Sequence, residues 1–337
     1  MKATREKLLK EVEAVLPGIS QKELIEQSSC IIFKDGKIYT YNDEISCRYD
    51  THLKINGAVS AMPLINILRK MKEDEIEIEI GEGELLIKGN GRKSGIRMEK
   101  SIVLPIDSID EPEKWHKLPD DFTEGLKYVS PCAGKDESSF ALTCIHIHPN
   151  WLEACDNMQV SRYLTNTGFD KSVLARRDSI KYIISFDMTE FGETDSWIHF
   201  KNPAGLILSC RRYVEEFPDM EPILDVSGER TVLPKGIKEA VSRAEVFSVE
   251  NVDNNMVTIN LKAGKLRIKG EGASGWFSEN KKIKYTGKDI SFKISPSLLS
   301  ELVQKHNECE ITESRLKIEI GKLKYVTVLE KTQKSSK

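Results

Sequence analysis

Residues 82–91 read EGELLIKGNG: a glycine turn, a run of alternating apolar and polar residues, and a second glycine turn. Alternation with a period of two is typical of a half-exposed antiparallel strand, and flanking glycines are typical of hairpin turns. Related patterns occur at residues 35–43 (DGKIYTYND), 203–210 (PAGLILSC), 263–272 (AGKLRIKGEG) and 314–322 (SRLKIEIGK). These stretches predict a protein built largely from antiparallel hairpins.

Helical periodicity lies between the hairpins, where apolar residues recur every three to four positions. The predicted helices span residues 4–16, 61–72, 120–132, 174–186, 235–247 and 295–306. Alternate helices start about 115 residues apart, so three units of about 112 residues fill the chain. The predicted fold class is α+β, with two helices packed on antiparallel sheets in each of three similar domains. These domains span residues 1–115, 116–224 and 225–337.

Composition limits the class of protein. The chain has 337 residues, of which 39% are hydrophobic and 31% charged, enough for several packed cores. No apolar run reaches the roughly 18 residues that a membrane helix needs, which predicts no membrane association. The first residues, MKATREKLLKEVEAVL, form a charged amphipathic pattern rather than a signal peptide, which predicts a cytoplasmic protein. The seven scattered cysteines without a C-x-x-C pair are predicted to be reduced and mostly buried.

The net charge of -3 does not by itself indicate a nucleic-acid-binding protein. The six predicted helices together carry more Lys and Arg than Asp and Glu, so the rest of the chain is acidic. If the helices line one surface, that surface is suited to phosphate. Ordinary solvated helix faces explain the same bias equally well.

Motifs for catalysis and metal binding are weak. Residues 270–275 (GEGASG) match a dinucleotide-binding spacing, but a strand-like segment follows them where that site needs a helix. Residues 89–95 (GNGRKSG) depart from the spacing of a P-loop. Cys144, His146 and His148 share one face of a strand, but no second ligand pair completes a zinc site. We therefore expect no enzyme, no metal and no cofactor.

Eight segments, in order, carry a family resemblance. They are residues 5–19 (REKLLKEVEAVLPGI), 38–50 (IYTYNDEISCRYD), 108–115 (SIDEPEKW), 154–164 (ACDNMQVSRYL), 215–224 (EEFPDMEPIL), 234–248 (PKGIKEAVSRAEVFS), 292–305 (FKISPSLLSELVQK) and 324–331 (KYVTVLEK). The chain resembles the bacterial-type DNA sliding clamp, the beta subunit of the replicative DNA polymerase III holoenzyme, including its phage-encoded relatives. The resemblance covers essentially the whole chain. Asn157 stands where the family often has Gly, and EKTQKSSK follows Leu329 where the family has a short tail with Met and Pro.

The resemblance implies a homodimer in which two chains join head to tail into a six-domain ring. Helices would line the hole and surround double-stranded DNA without reading its sequence. The residues that would face DNA are Lys10, Lys22, Arg69, Lys70, Arg176, Arg177, Lys181, Lys235, Lys238 and Lys305. Each is equally well explained as a solvated surface charge.

The resemblance also implies two protein-binding surfaces. A hydrophobic groove between the second and third domains would bind short peptides of the DNA polymerase and of the clamp loader. Its residues would be Met158, Val160, Phe247, Val326 and Val328, although core packing explains the last two as well. At the dimer interface, the strand around Ile96 and Met98 would meet the strand near Ile283.

Two other classes of protein remain open. A trimeric clamp of the kind found in eukaryotes, archaea and some phages has two domains per chain, so the three predicted units count against it. A catalytic α+β protein would use the strand around His146 or the glycine loops. Metal analysis or a nucleotide-binding assay would identify it.

Overall fold

A computed structural model describes residues 1–248, 255–305, 307–312 and 314–329. Its α-helices are α1 (Arg5–Ala14), α2 (Ala61–Lys70), α3 (Phe122–Val129), α4 (Arg177–Ser185), α5 (Glu221–Leu224), α6 (Ile237–Ser248) and α7 (Pro296–Lys305). Six of them confirm the helices that periodicity predicted; most are shorter, and α6 ends one residue later than predicted. The sequence did not predict α5, because a single helical turn in a proline-rich stretch has no period to detect.

The strands follow in chain order. They are β1 (Lys2–Thr4), β2 (Cys30–Lys34), β3 (Lys37–Tyr41), β4 (Ile45–Asp50), β5 (Gly57–Ser60), β6 (Glu75–Ile80), β7 (Glu84–Gly89), β8 (Arg92–Glu99), β9 (His116–Lys117), β10 (Cys144–His148), β11 (Trp151–Cys155), β12 (Gln159–Leu164), β13 (Val173–Arg176), β14 (Glu190–Glu193), β15 (Trp197–Lys201), β16 (Ile207–Arg211), β17 (Glu229–Val232), β18 (Val257–Lys262), β19 (Lys265–Gly272), β20 (Gly275–Lys282), β21 (Ile290–Ile294), β22 (Glu308–Ile311), β23 (Arg315–Ile320) and β24 (Leu323–Val328). The five stretches with a hairpin pattern all contain strands, as predicted.

The chain divides into two compact units. Unit 1 comprises Met1–Asp120 and Ala175–Val214, and unit 2 comprises Asp121–Leu174 and Glu215–Lys337. The predicted middle domain is therefore shared between the units, and the three-domain division stays a prediction. The mixed architecture of helices and antiparallel sheets confirms the α+β class.

Each unit is organised around large sheets. Unit 1 has one twelve-stranded sheet in the order β1-β6-β7-β8-β5-β2-β3-β4-β16-β15-β14-β9. Unit 2 has an eight-stranded sheet in the order β13-β10-β11-β12-β24-β23-β22-β17 and a four-stranded sheet in the order β20-β19-β18-β21. Strands far apart in sequence pair directly, for example β4 with β16 and β12 with β24.

The sheets show the alternation that the sequence predicts. In β6, which reads EIEIEI, Ile76 and Ile78 are buried while the first two glutamates are exposed. In β23, Leu316 and Ile318 are buried in the same way. One face of each strand therefore joins a core and the other faces solvent.

Helix α6 lies close to the four-stranded sheet because of Gly270 in β19. A Cβ atom added at this glycine would overlap the Ala244 carbonyl group of α6. The glycine that begins GEGASG thus allows close packing of a helix on a strand. Ala273 and Ser274 of this motif form the turn between β19 and β20, as predicted for a hairpin.

The helices are short, and the cysteines are reduced. None of the helices in the described ranges is long and apolar enough to cross a bilayer. All seven cysteines are free, and all but Cys30 are buried.

In unit 1, His199 on β15 is also buried, and its Nδ1 lies 2.8 Å from the hydroxyl of Ser209. Burial, helped by the nearby guanidinium of Arg48, lowers the pKa of His199 to about 4.

We predict that His199 makes the stability of the chain depend on pH. Its imidazole binds a proton less tightly when folded, so protonation favours the unfolded chain as the pH falls from 6.5 towards 4. The pKa difference corresponds to about 3 kcal/mol lost over this window. Urea unfolding at pH 7 and pH 4 should show a markedly smaller loss for His199→Gln. An unchanged loss, equal to that of the exposed-site control His116→Gln, would contradict this account.

Candidate functional site

The first group of predicted DNA-facing residues lies on α1 and α2, which pack side by side in unit 1. Lys10 is exposed and lies 3.4 Å from the carboxylate one turn earlier on α1. Arg69 joins the two helices through an ion pair of 2.7 Å with Glu13. Lys70 is exposed in the last turn of α2, where a cation also interacts favourably with the helix dipole.

The second group lies at the start of α4. Arg176 precedes the helix and lies 3.8 Å from Glu44, and Arg177 is its first residue. Lys181 is exposed on the helix surface. Lys22, from the other part of unit 1, is exposed in the loop that precedes β2. Arg176 and Arg177 are half-buried, whereas Lys181 and Lys22 are open to solvent.

The third group belongs to unit 2. Lys235 and Lys238 are exposed at the beginning of α6. Cations at a helix N-terminus oppose the helix dipole, so helix stability does not explain them. The side chain of Lys305, the last predicted contact, lies outside the described part of the chain.

Four of the five predicted groove residues lie together in unit 2. β12 and β24 are hydrogen-bonded neighbours, and their register places Val160 opposite Val326. Next to this pair, the backbone N–H of Val328 donates to the carbonyl oxygen of Met158 over 2.8 Å. Val160 and Val326 are buried, whereas Val328 is 38% exposed. The strand pair therefore combines a buried base with a rim that faces solvent.

Residues of the segment between β16 and β17 complete this apolar surface. Met220, Leu224 and Val226 are buried against Val160 and Val326. Half-buried side chains pack on them from three positions: Leu142, Phe217 and Ile223. We call this surface, together with Met158 and Val328, the β12/β24 patch. The contribution of this segment was not predicted, although the apolar spacing within EEFPDMEPILDV indicates it.

Phe247 is the predicted groove residue that the structure places elsewhere. It lies near the end of α6, and its ring faces Gly275 at the start of β20. It is absent from the apolar cluster described around Val160 and Val326.

Asp156 fixes the turn that leads into β12. Its Oδ1 accepts hydrogen bonds from the backbone N–H groups of Met158 (2.7 Å) and Gln159 (2.8 Å). Burial raises the pKa of this carboxyl group, while the same hydrogen bonds oppose the shift. The turn thus sets the position of Met158 at the rim of the β12/β24 patch.

A buried ion network holds α5 beside the patch. The Nε of Arg162 donates to Glu153 over 2.6 Å, and both side chains are buried. Arg162 also bonds Glu221, the first residue of α5. From β23, Arg315 donates to the carbonyl oxygen of Pro222 over 2.9 Å. Two arginines on different strands therefore tie this short helix to the sheet.

Strand β10, which carries Cys144, His146 and His148, packs against the same surface through His146. The ring of His146 stacks on Phe217 with 4.8 Å between centroids, and its Nδ1 lies 3.5 Å from Glu153. His148 stacks on Trp151 instead. Within the described ranges, no three His, Cys, Asp or Glu side chains are grouped to hold a metal ion. His146 therefore helps to position Phe217.

The predicted dimer-interface residues lie in or next to two strands, β8 and β20, each of which has an edge without a full neighbouring strand in the described ranges. Ile96 and Met98 on β8 and Ile283 after β20 are buried within their own units. The described pairing of β8 with β5 is confined to Met98 and Glu99, and β20 is the outermost strand of its sheet. Beside this edge, Trp276 on β20 is 64% exposed and Val246 on α6 is 65% exposed. Sequence alone missed both, since their exposure depends on the packing of α6 and β20.

These features define a clamp fold, that of the bacterial DNA sliding clamp, and confirm the family resemblance at the level of the fold. Solved sliding clamps from three bacteria show the similarity. The DNA polymerase III beta subunit of Thermotoga maritima has a TM-score of 0.76 at 14% identity, and the Bacillus subtilis clamp 0.76 at 15%. The Bartonella birtlesii clamp, bound to griselimycin, has a TM-score of 0.78 at 14% identity. Each comparison covers 98% of this chain and 99% of the other. No protein-family model and no curated protein sequence matches the chain.

We predict unequal roles for the two carboxylates that bond Arg162. Glu153→Ala leaves a buried guanidinium without its main partner and should cost about 3 kcal/mol or more of unfolding free energy. Glu221→Ala removes an exposed partner and should cost less than about 1 kcal/mol. Urea unfolding of the full chain measures both. Equal losses would contradict the larger contribution of the buried Glu153–Arg162 pair.

Proposed function

We propose that this protein is a DNA sliding clamp, a processivity factor that encircles duplex DNA and tethers the replicative polymerase. The fold carries the proposal, because the similarity to solved clamps extends over 98% of the chain. Two chains would join head to tail and close a six-domain ring. In this role the protein catalyses no reaction, needs no cofactor and acts in the cytoplasm.

A ring explains why a chain of net charge -3 can act on DNA. Topological linkage replaces tight binding, so a few flexible cations suffice to keep the duplex centred. Lys10, Lys70, Lys181, Lys235 and Lys238 are exposed and could contact phosphates without reading bases. Many close contacts would instead slow sliding.

The two strand edges suggest how the ring closes. An edge strand presents unpaired N–H and C=O groups, which a second chain can satisfy. We propose that β8 of one chain pairs with β20 of the other, and that Trp276 and Val246 pack across the contact. Large exposed aromatic side chains commonly anchor such interfaces. Ile96, Met98 and Ile283 would pack in the cores beneath the two paired strands.

The ring predicts a solution mass near twice 38.2 kDa. Charging the apolar contact should open it, so Trp276→Glu combined with Val246→Glu should yield a monomer. Light scattering on a sizing column, across a dilution series, measures the mass. Val214→Glu is the matched control, since this valine is also exposed (74%).

A wild-type chain that stays monomeric across the whole series would contradict a constitutive ring. A double variant that remains dimeric would leave the dimer in place and refute this interface.

The β12/β24 patch is the proposed docking site for peptides of the polymerase and the clamp loader. An extended peptide can place apolar anchors on such a surface, which is a common mode of recognition. Its base is buried, and Met158, Phe217 and Val328 are accessible at the rim. Phe247 faces Gly275 and is not among the residues that define the patch.

Binding to the patch should be sensitive to Val328. A charge there places an ionised group beside the peptide's anchors, so Val328→Asp should weaken binding at least about tenfold. Fluorescence anisotropy with a labelled peptide carrying Leu and Phe anchors measures this. Val232→Asp is the control, because this valine is also exposed at the end of a strand of the same sheet. Equal affinities for both variants would place the docking site elsewhere.

A further inference from the structure

The segment from residue 215 to residue 226 has two chemically different sides. Its apolar side chains, Phe217, Met220, Ile223, Leu224 and Val226, belong to the β12/β24 patch. Its other side is acidic and exposed. The carboxylates on that side are Glu215, Glu216, Asp219, Glu221 and Asp225. The rim of the patch therefore carries a row of negative charges.

Cations of the protein neutralise little of this charge. Glu221 bonds Arg162, whose charge is already balanced by buried Glu153. Within the described ranges, no ion pair involves Glu215, Glu216, Asp219 or Asp225. Four carboxylates thus remain on this side of the patch.

Three further cations lie near the patch, and one of them is exposed Lys135, which follows Gly134, whose N–H donates to the carbonyl oxygen of Leu142 over 2.7 Å. Arg315 donates to the carbonyl oxygens of Pro222 and Ile223, so its guanidinium is held against the backbone of α5. Lys324 is half-buried on β24, where Glu319 stands opposite it in the register. Within the described ranges, none of the three is ion-paired with the four exposed carboxylates, so the segment keeps an excess of acidic side chains.

From this charge we infer that the patch selects peptides with Lys or Arg beside their apolar anchors. The inference rests on the proposed docking function and specifies the partner. Apolar anchors would fill the patch, while the peptide's cations would lie over the acidic rim. Complementary charge at a rim speeds association and rejects partners of the wrong sign.

Three labelled peptides test the inference on the full-length chain. They share one core with Leu and Phe anchors and carry flanks of two lysines, two glutamines or two glutamates. Anisotropy at about 50 mM salt should show about tenfold tighter binding for the lysine peptide than for the glutamate peptide. The difference should shrink at about 500 mM salt, because screening weakens exposed charges.

Charge reversal on the protein locates the effect. The variant Glu215→Lys, Glu216→Lys and Asp225→Lys should reverse the preference and leave the glutamine peptide nearly unaffected. Asp219 is spared, because it accepts a hydrogen bond from the N–H of Glu221. The control, Glu75→Lys, Glu82→Lys and Asp170→Lys, makes the same change in net charge at exposed positions outside this segment. It should keep the preference for lysine.

The outcomes separate this inference from the proposed function. Equal binding of all three peptides would overturn the charge selection and leave the docking site in place. Reversal in both triple variants would trace the effect to net charge and overturn the role of the rim. Failure of every peptide to bind would overturn both proposals. Binding only to a chain that ends at Leu329 would assign the patch to the chain's own lysine-containing end.

Discussion

The antiparallel pairing of β12 with β24 brings residues 159–163 beside residues 323–327. Much of unit 2 depends on this contact, since it joins the strands that follow α3 to the last strand of the described chain. The same pairing forms the base of the β12/β24 patch. Backbone hydrogen bonds fix the register, and a shift by one residue would turn Val160 and Val326 away from their apolar neighbours. The register of β12 against β24 therefore determines both the packing of this sheet and the base of the proposed docking site.

Much of the fold could be predicted, because it rests on local periodicity. Alternation in ELLIKG and RLKIEI identified half-exposed strands, and 3.6-residue spacing identified six helices. Helix α5 was not predicted, because it has a single turn and is held in place by Arg162 and Arg315 from distant strands. The exposure of Trp276 and Val246 was not predicted, because exposure depends on tertiary packing. Four of five groove residues came together, whereas Phe247 faces Gly275, a contact that no spacing rule predicts.

The distribution of charge matches the proposed work of each surface. Surfaces that would face DNA carry long, loosely paired cations that can exchange a carboxylate for a phosphate. Next to the patch, segment 215–226 turns apolar side chains inward and carboxylates outward. Buried charges, by contrast, are paired: Glu153 and Arg162 satisfy each other inside unit 2. A small net charge is thus compatible with two surfaces of opposite character.

Topological linkage to DNA is the most direct test of the ring. Chains diluted to monomers would be concentrated together with nicked circular DNA, so that rings close around it, and the DNA would be isolated by gel filtration. The ring predicts that protein elutes with the circles in moderate salt and is released when one restriction cut makes the DNA linear. Protein that stays equally bound to circular and linear DNA, or binds neither, would contradict an encircling clamp.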